Sequence, residues 1–486
     1  MTKRMRKASA GVLMAVAAAI TCMAPAAETI APLQSVSISA SAAATWSNDT
    51  ATFTYTVKDG YAVISKVAPK GKKNYAGVTY VFIPSDINGY KIALGSYAFN
   101  QISTPIDINA SNVKKVEKYA FYRCTAIDEI SLAGCEDLAT YGIYRCSNLK
   151  SVCFPGVQSA TTDGSTLNIN TDGIYYCPDL ENVSFGCKDD IIIHTRAFSG
   201  CTKLKGFNKW SISSDHASFY PHTNAFSSSG INGSGTIKTA SFMSKYNGRY
   251  NVGDGKKMTG KTVAVTLFVN TTDTPSWTYG SRYGYNSNVG RNVYELEQEA
   301  VKYNQTLDIE HLNVNVSSKM KKSAVESNGD FSRSSVVLNA CKNTFSYLSE
   351  CTNMDQVTDK IKSQLNADNV VYMVAINSGG RAKAYSFNTA NEYAVVYKDG
   401  QSAPYLDEYT WMHEFCHLFG AMDVYEGSGV ANSGYTNQFL SMDIMNQNKP
   451  NVGWFTACNI GWTNTVLLDD FNNIVVKDAA PTSFDY

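Results

Sequence analysis

Charge is scarce in this chain and evenly split. Only 17% of its 486 residues are charged, 42 basic against 42 acidic, so there is no net field to gather a nucleic acid. Beyond one segment near the start, no run reaches the ~18 apolar residues that a membrane span needs. Twelve cysteines are present, but no C-x-x-C pair occurs among them, which removes the usual ribbon and finger zinc patterns. The apolar exception is N-terminal. Lys3, Arg4, Arg6 and Lys7 precede the run from Ala8 to Ile20, and Ala24-Pro25-Ala26 offers small residues for cleavage. Residues 1–26 therefore read as a secretory signal. Its removal takes away four basic residues and no acidic ones, leaving 38 against 42 and a net charge near −4. The mature protein is expected to be secreted and extracellular, at the cell surface where its repeats attach it, with no membrane span and no nucleic-acid partner.

A chain of this length predicts more than one domain. A short phrase recurs in its first half: Ala120-Phe121-Tyr122-Arg123-Cys124, Gly142-Ile143-Tyr144-Arg145-Cys146, Gly173-Ile174-Tyr175-Tyr176-Cys177 and Ala197-Phe198-Ser199-Gly200-Cys201. An aliphatic residue follows each cysteine by three positions, at Ile127, Leu149, Leu180 and Leu204. The cysteines lie 22, 31 and 24 residues apart, a leucine-rich-repeat period with one insertion at about 158–170. Segments such as Glu129-Ile130-Ser131-Leu132 and Asn182-Val183-Ser184-Phe185 predict one strand per coil. These phrases resemble the BspA-like leucine-rich repeats of bacterial surface proteins. The resemblance implies a β-rich solenoid over residues 76–205, entered through strand-rich residues 27–75, with a protein or glycan as its ligand. Stacked coils share one core, so Cys124, Cys146, Cys177 and Cys201 are expected to pack as small buried residues.

Residues 206–258 read as a junction, with a looped stretch at Ser227–Gly235. Residues 259–486 form an α/β pattern. Val263–Val269 and Val370–Ile376 are continuous apolar runs that predict buried strands, and Leu307–Val316 predicts another. Val293, Leu296, Ala300 and Tyr303 mark one helical face, and Leu338, Cys341, Phe345 and Leu348 mark a second. Arg381–Phe387 and Glu392–Tyr397 predict a hairpin-like pair, with the first at the sheet edge. A helix then starts near Asp407.

That helix carries His413-Glu414-Phe415-Cys416-His417-Leu418-Phe419-Gly420-Ala421-Met422-Asp423. Histidines four apart leave one helical face, where they can hold one Zn²⁺ with Glu414 beside a metal-bound water as general base. Gly420 tolerates the positive φ that would turn Asp423 back as third ligand. Ser441-Met442-Asp443-Ile444-Met445-Asn446 follows, placing Met445 beneath the metal as support, while Asp443 suits turn formation. This pattern resembles the metzincin peptidases, in the aspartate variant of the snapalysin-like and immune inhibitor A-like groups. The resemblance implies a zincin-type catalytic domain over residues 259–486, acting as a zinc endopeptidase on protein or peptide substrates. The competing reading is a surface-binding or adhesion protein with an inactive peptidase-like domain. Cys416 is expected to pack or to bond with Cys458, and Cys341 to be able to pair with Cys351. The repeat and catalytic halves are expected to act separately.

Overall fold

The repeat phrase builds a coil with three short strands. The computed structural model describes residues 42–72, 74–154, 166–185, 190–205, 218–233, 237–238, 257–385, 393–399, 409–425, 443–447, 449–464 and 466–467. Residues 1–26, His216, Asp407, Ser441 and Met442 lie outside this set. One coil runs through Val113–Val116, Phe121–Tyr122 and Glu129–Ser131, and the next through Asp137–Leu138, Ile143–Tyr144 and Ser151–Phe154. Equivalent strands pair in parallel and in register, Ile143 lying between Phe121 and Ile174. The sequence predicts one strand per coil, but each full coil gives three. A strand of two residues shows no alternation, and that hides it. An antiparallel set, Ala44–Ser47, Ala51–Lys58 and Tyr61–Pro69, covers the first coil and joins it at Lys91–Leu94.

At the bends the chain adopts left-handed backbone at two positions in every coil. Tyr97, Tyr119, Tyr141, Asp172, Arg196 and Asn224 form one column, with φ of 54° to 63°. Gln101, Arg123, Arg145, Tyr176, Gly200 and Ser228 form the other, at 50° to 80°. Such a conformation costs a non-glycine residue roughly 1–2 kcal/mol. What offsets this is an inter-coil hydrogen bond carried through the corner: Tyr119 N–H reaches the Tyr141 carbonyl at 2.8 Å, and Arg123 N–H reaches that of Tyr144 at 2.8 Å.

The stack continues past residue 205. Ser218–Pro221 pairs in parallel with Asp190–Ile193, and Thr166–Ile169, from the stretch read as an insertion, is a strand of its coil. Within the stretch read as a loop, Gly230 donates to the Cys201 carbonyl at 2.9 Å. A Cβ at Gly230 would lie 2.1 Å from the Thr202 carbonyl oxygen, so the bend closes only on glycine. Cys124, Cys146, Cys177 and Cys201 are fully buried in one column. The Cys124 and Cys201 thiols donate to the Phe99 and Ile174 carbonyls of neighbouring coils, at 3.4 and 3.5 Å.

In the second half, strands β1 (Gly260–Asn270), β2 (Leu307–Ser317), β3 (Asn369–Gly379), β4 (Lys383–Tyr385) and β5 (Tyr393–Asp399) form a sheet in the order β2-β1-β3-β5-β4. All pairings are parallel except that of the edge strand β4. Along β1 and β3 alternate residues feed two cores. Val263, Val265, Val370 and Tyr372 point to one, and Ala264, Phe268, Val371 and Met373 to the other. Burial on both faces is why these strands read as unbroken apolar runs.

Helix α1 (Tyr279–Lys302) begins well before the stripe at Val293 that predicts it. Gly280, Gly284 and Gly290 weaken its first half in isolation. Thr278 caps it reciprocally with Ser281, and Tyr285 packs edge-on against Phe268 and Trp277 at 5.5 and 5.6 Å. Helix α2 (Ser335–Thr344) stops before Phe345, whose backbone is extended, so the predicted stripe through Leu348 is broken. Helix α3 (Met354–Leu365), capped by Asn353, follows where no stripe predicts one.

The two halves share one apolar core, which runs from Ala51 through the coils to Trp462. Polar contacts reinforce it. Lys302 at the end of α1 meets Glu299 Oε1 at 2.7 Å, Asp190 at 3.2 Å and the Tyr220 hydroxyl at 3.2 Å. Glu299 Oε2 accepts the Val452 N–H at 2.9 Å, and Tyr303 donates to the Val452 carbonyl at 2.8 Å. These contacts give the two halves a packed interface.

His222, on the last coil, lies at this interface with its Nε2 2.8 Å from the Lys302 carbonyl, and its ring is 4.3 Å from that of His194. Burial and then His194 push its pKa down to about 4, against the pull of that carbonyl. The unfolded chain binds this proton near pH 6.5 and the folded one does not, so stability is complete above pH 6.5 and is lost as pH falls toward 4. From this residue, unfolding in urea at pH 5 is expected to show about 2 kcal/mol less stability than at pH 7. His222→Gln should reduce that drop; an equal drop in the variant would rule His222 out as its source.

Candidate metal centre

Helix α4 (Thr410–His417) packs against α1, β5 and β4, and Asn292 of α1 accepts the Met412 N–H at 3.1 Å. One turn separates His413 and His417, and both are buried. His413 Nδ1 lies 2.9 Å from the Ile444 carbonyl, and His417 Nδ1 lies 2.9 Å from that of Ala421. A carbonyl only accepts, so in each ring Nδ1 carries the hydrogen and, in the neutral form, Nε2 keeps a lone pair. Gly420, at φ +94°, turns the chain after the helix. Asp423 is thereby brought back, with Oδ1 3.0 Å from His413 Nε2 and 3.3 Å from His417 Nε2.

Three acceptor atoms thus converge in a buried place, all within 4.8 Å of one another. Asp423 Oδ1 has no hydrogen-bond partner among the described residues, because neutral imidazoles protonated at Nδ1 offer it none. Only a proton or a cation reconciles the three. Burial opposes charge on His413, but Asp423 and Glu414 outweigh it and push its pKa up to about 9. Asp423, despite its burial, is held well below the usual carboxylate range by the two histidines. Two imidazole nitrogens and one carboxylate oxygen are a donor set that suits zinc.

Glu414 is buried, and its Oε2 has no hydrogen-bond partner among the described residues. Burial raises its pKa first and Asp423 adds to this, while His417, His413 and Arg381 work the other way. Two further residues approach. Arg381, just before edge strand β4, donates from Nη2 to the Tyr425 hydroxyl at 3.2 Å, and the Tyr425 ring lies 6.5 Å from that of His413. Sequence reasoning gives neither a role. Tyr425 stands two positions after Asp423, close enough to be noticed; nothing local marks Arg381, which arrives through the sheet.

Met445 is fully buried on the turn Ile444–Gln447, and its carbonyl accepts the Val424 N–H at 3.0 Å, tying the turn to the residue after Asp423. Asp443 stays outside the cluster. Its carboxylate accepts from Met445 N, Gly453 N and Thr456 Oγ1 at 2.8, 2.7 and 2.8 Å, and burial pushes its pKa up to about 6. Cys416 and Cys458 are separate buried thiols, as are Cys341 and Cys351, so neither bond considered for them forms. Each fills apolar space instead.

Among known proteins, similarity falls on the first half. Residues 75–205 and 153–245 match the BspA type leucine-rich repeat region, in six copies. No curated protein and no solved structure matches the chain.

Proposed function

We propose that this chain, whose N-terminal region carries BspA-type leucine-rich repeats, is a zinc-dependent endopeptidase that uses those repeats to hold a partner or substrate. One observation carries the reading: two imidazole Nε2 atoms and the Asp423 carboxylate converge beside a buried, unpartnered Glu414 oxygen. His413, His417 and Asp423 would hold the ion. Zinc bound there supplies Lewis acidity toward a carbonyl and acidity toward water. Glu414 is placed to take a proton and hand it to a leaving amine, and burial raises its pKa above the ordinary carboxylate value, the direction that a general base needs. An extended peptide would lie along the edge formed by β4, where main-chain hydrogen bonds serve any sequence. The protein is exported in this reading, on the strength of its basic and apolar first segment. Among the described residues, no helix is long and apolar enough to cross a membrane.

A second reading is favoured by the comparisons, which match the repeats alone: a surface-binding protein whose second half does no chemistry. Metal analysis of the purified protein, together with hydrolysis of an unstructured protein, separates the two. One zinc per chain with hydrolysis is expected, and metal-free, inert protein would leave the binding reading. Asp423→Ala should weaken zinc binding by more than the roughly 10- to 100-fold that loss of an outer partner costs. Unchanged zinc retention against a chelator would exclude Asp423 as a ligand.

A further inference from the structure

One edge of the solenoid carries two stacked columns of tyrosine. Tyr97, Tyr119 and Tyr141 form the first, with successive rings 5.8 Å apart. Tyr122, Tyr144 and Tyr175 form the second, at 5.5 Å. The columns meet edge to face at 5.1 to 5.7 Å. Three cations lie on these rings: Lys118 over Tyr119 at 5.0 Å, Arg123 over Tyr122 at 5.3 Å and Arg145 over Tyr144 at 5.3 Å. All three are exposed, and among the described residues none forms an ion pair. This is not for want of acids on the coils, since Lys114 pairs with Glu136 at 2.9 Å and Arg196 pairs with Asp172.

The chemistry of this edge is one-sided. Stacking consumes the ring faces, where an aromatic ring is negative, and leaves hydroxyls and ring edges, where it is positive. The three cations lie 5.0 to 5.3 Å from these ring centroids, so their side chains are partly ordered before any ligand arrives and less entropy is lost on binding. A sugar ring stacks on open aromatic faces, whereas Tyr119 and Tyr144, in the middle of their columns, are stacked on both sides. Carboxylates find hydroxyl donors, positive ring edges and guanidinium forks that match them in pairs.

We propose that this tyrosine and arginine edge binds an acidic, carboxylate-rich segment of a partner protein. The proposal rests on the repeats being a binding module and is independent of peptidase activity. The full-length protein, immobilised on a biosensor, is tested against an oligo-glutamate peptide, a neutral Gly-Ser peptide and a sulfated polysaccharide, at low and physiological salt. Oligo-glutamate is expected to bind best, to weaken with salt, and to lose at least tenfold in affinity with Arg123→Gln and Arg145→Gln together. Lys118→Gln, which lies off the left-handed corners, should lose several-fold and keeps the test open if the double variant does not fold. Tighter binding of the sulfated polysaccharide through the same residues would overturn the protein partner in favour of a glycan. Equal binding of the neutral peptide would leave the repeats a binding module and overturn only the acidic chemistry. Binding of none of the three would overturn the proposal and leave the repeats' binding role unsupported.

Discussion

Glu414→Gln is expected to lower hydrolysis of an unstructured protein by at least about a thousandfold, within the range that a positioned acid–base group contributes, while one zinc per chain remains. The carboxamide has the shape of the carboxylate and leaves His413, His417 and Asp423 untouched, so the donor set persists. What disappears is the buried carboxylate oxygen that stands outside the donor set and has no hydrogen-bond partner among the described residues. Zinc content and hydrolysis rate, measured on a single preparation, check both halves of this expectation. Activity within tenfold of the parent would remove Glu414 as the base, and loss of zinc would mean that the change had disturbed the ligands.

Lys302→Met is the second large effect, and it concerns folding. Burial works against the charge of Lys302, but Glu299, Tyr220 and Asp190 hold its pKa well above the ordinary lysine value. Removing the ammonium leaves the two carboxylates facing each other without compensation, with Glu299 buried and Asp190 largely so. Breaking a buried pair in this way costs about 3–5 kcal/mol. Urea unfolding followed by circular dichroism should show it, and adding Glu299→Gln should recover part of the loss. A change below 1 kcal/mol would mean that water already screens the cluster. Since Glu299 also holds the Val452 N–H, one residue from the Gly453 N–H that Asp443 accepts, the variant should loosen the methionine turn as well.

The sequence displays what repeats in register and what is buried on both sides. The cysteine phrases give the coil period, the runs at Val263 and Val370 give the inner strands, and the spacing of His413, His417 and Asp423 puts three donors in one place. What stays hidden depends on distance along the chain. His413 is oriented by Ile444 and His417 by Ala421, through carbonyls that every residue possesses. The first half of α1 contains three glycines and is held by Phe268 and Trp277 rather than by its own propensity. The docking of the coils onto α1 rests on Lys302, Asp190 and Tyr220, whose sequence neighbours give no hint that they meet.

The column of four thiols sets a direction in time. All four are free and fully buried, out of reach of a solvent oxidant, and the Cys124 and Cys201 thiols are held by the Phe99 and Ile174 carbonyls, so the folded solenoid can keep its sulfurs reduced even in an oxidising medium. An unfolded chain has no such protection, because any two of its cysteines can meet and bond. Folding and oxidation are thus a race that the chain must win once. After that, unfolding in oxidising surroundings is a one-way exit, and the working lifetime of the protein is set by how rarely its coils open.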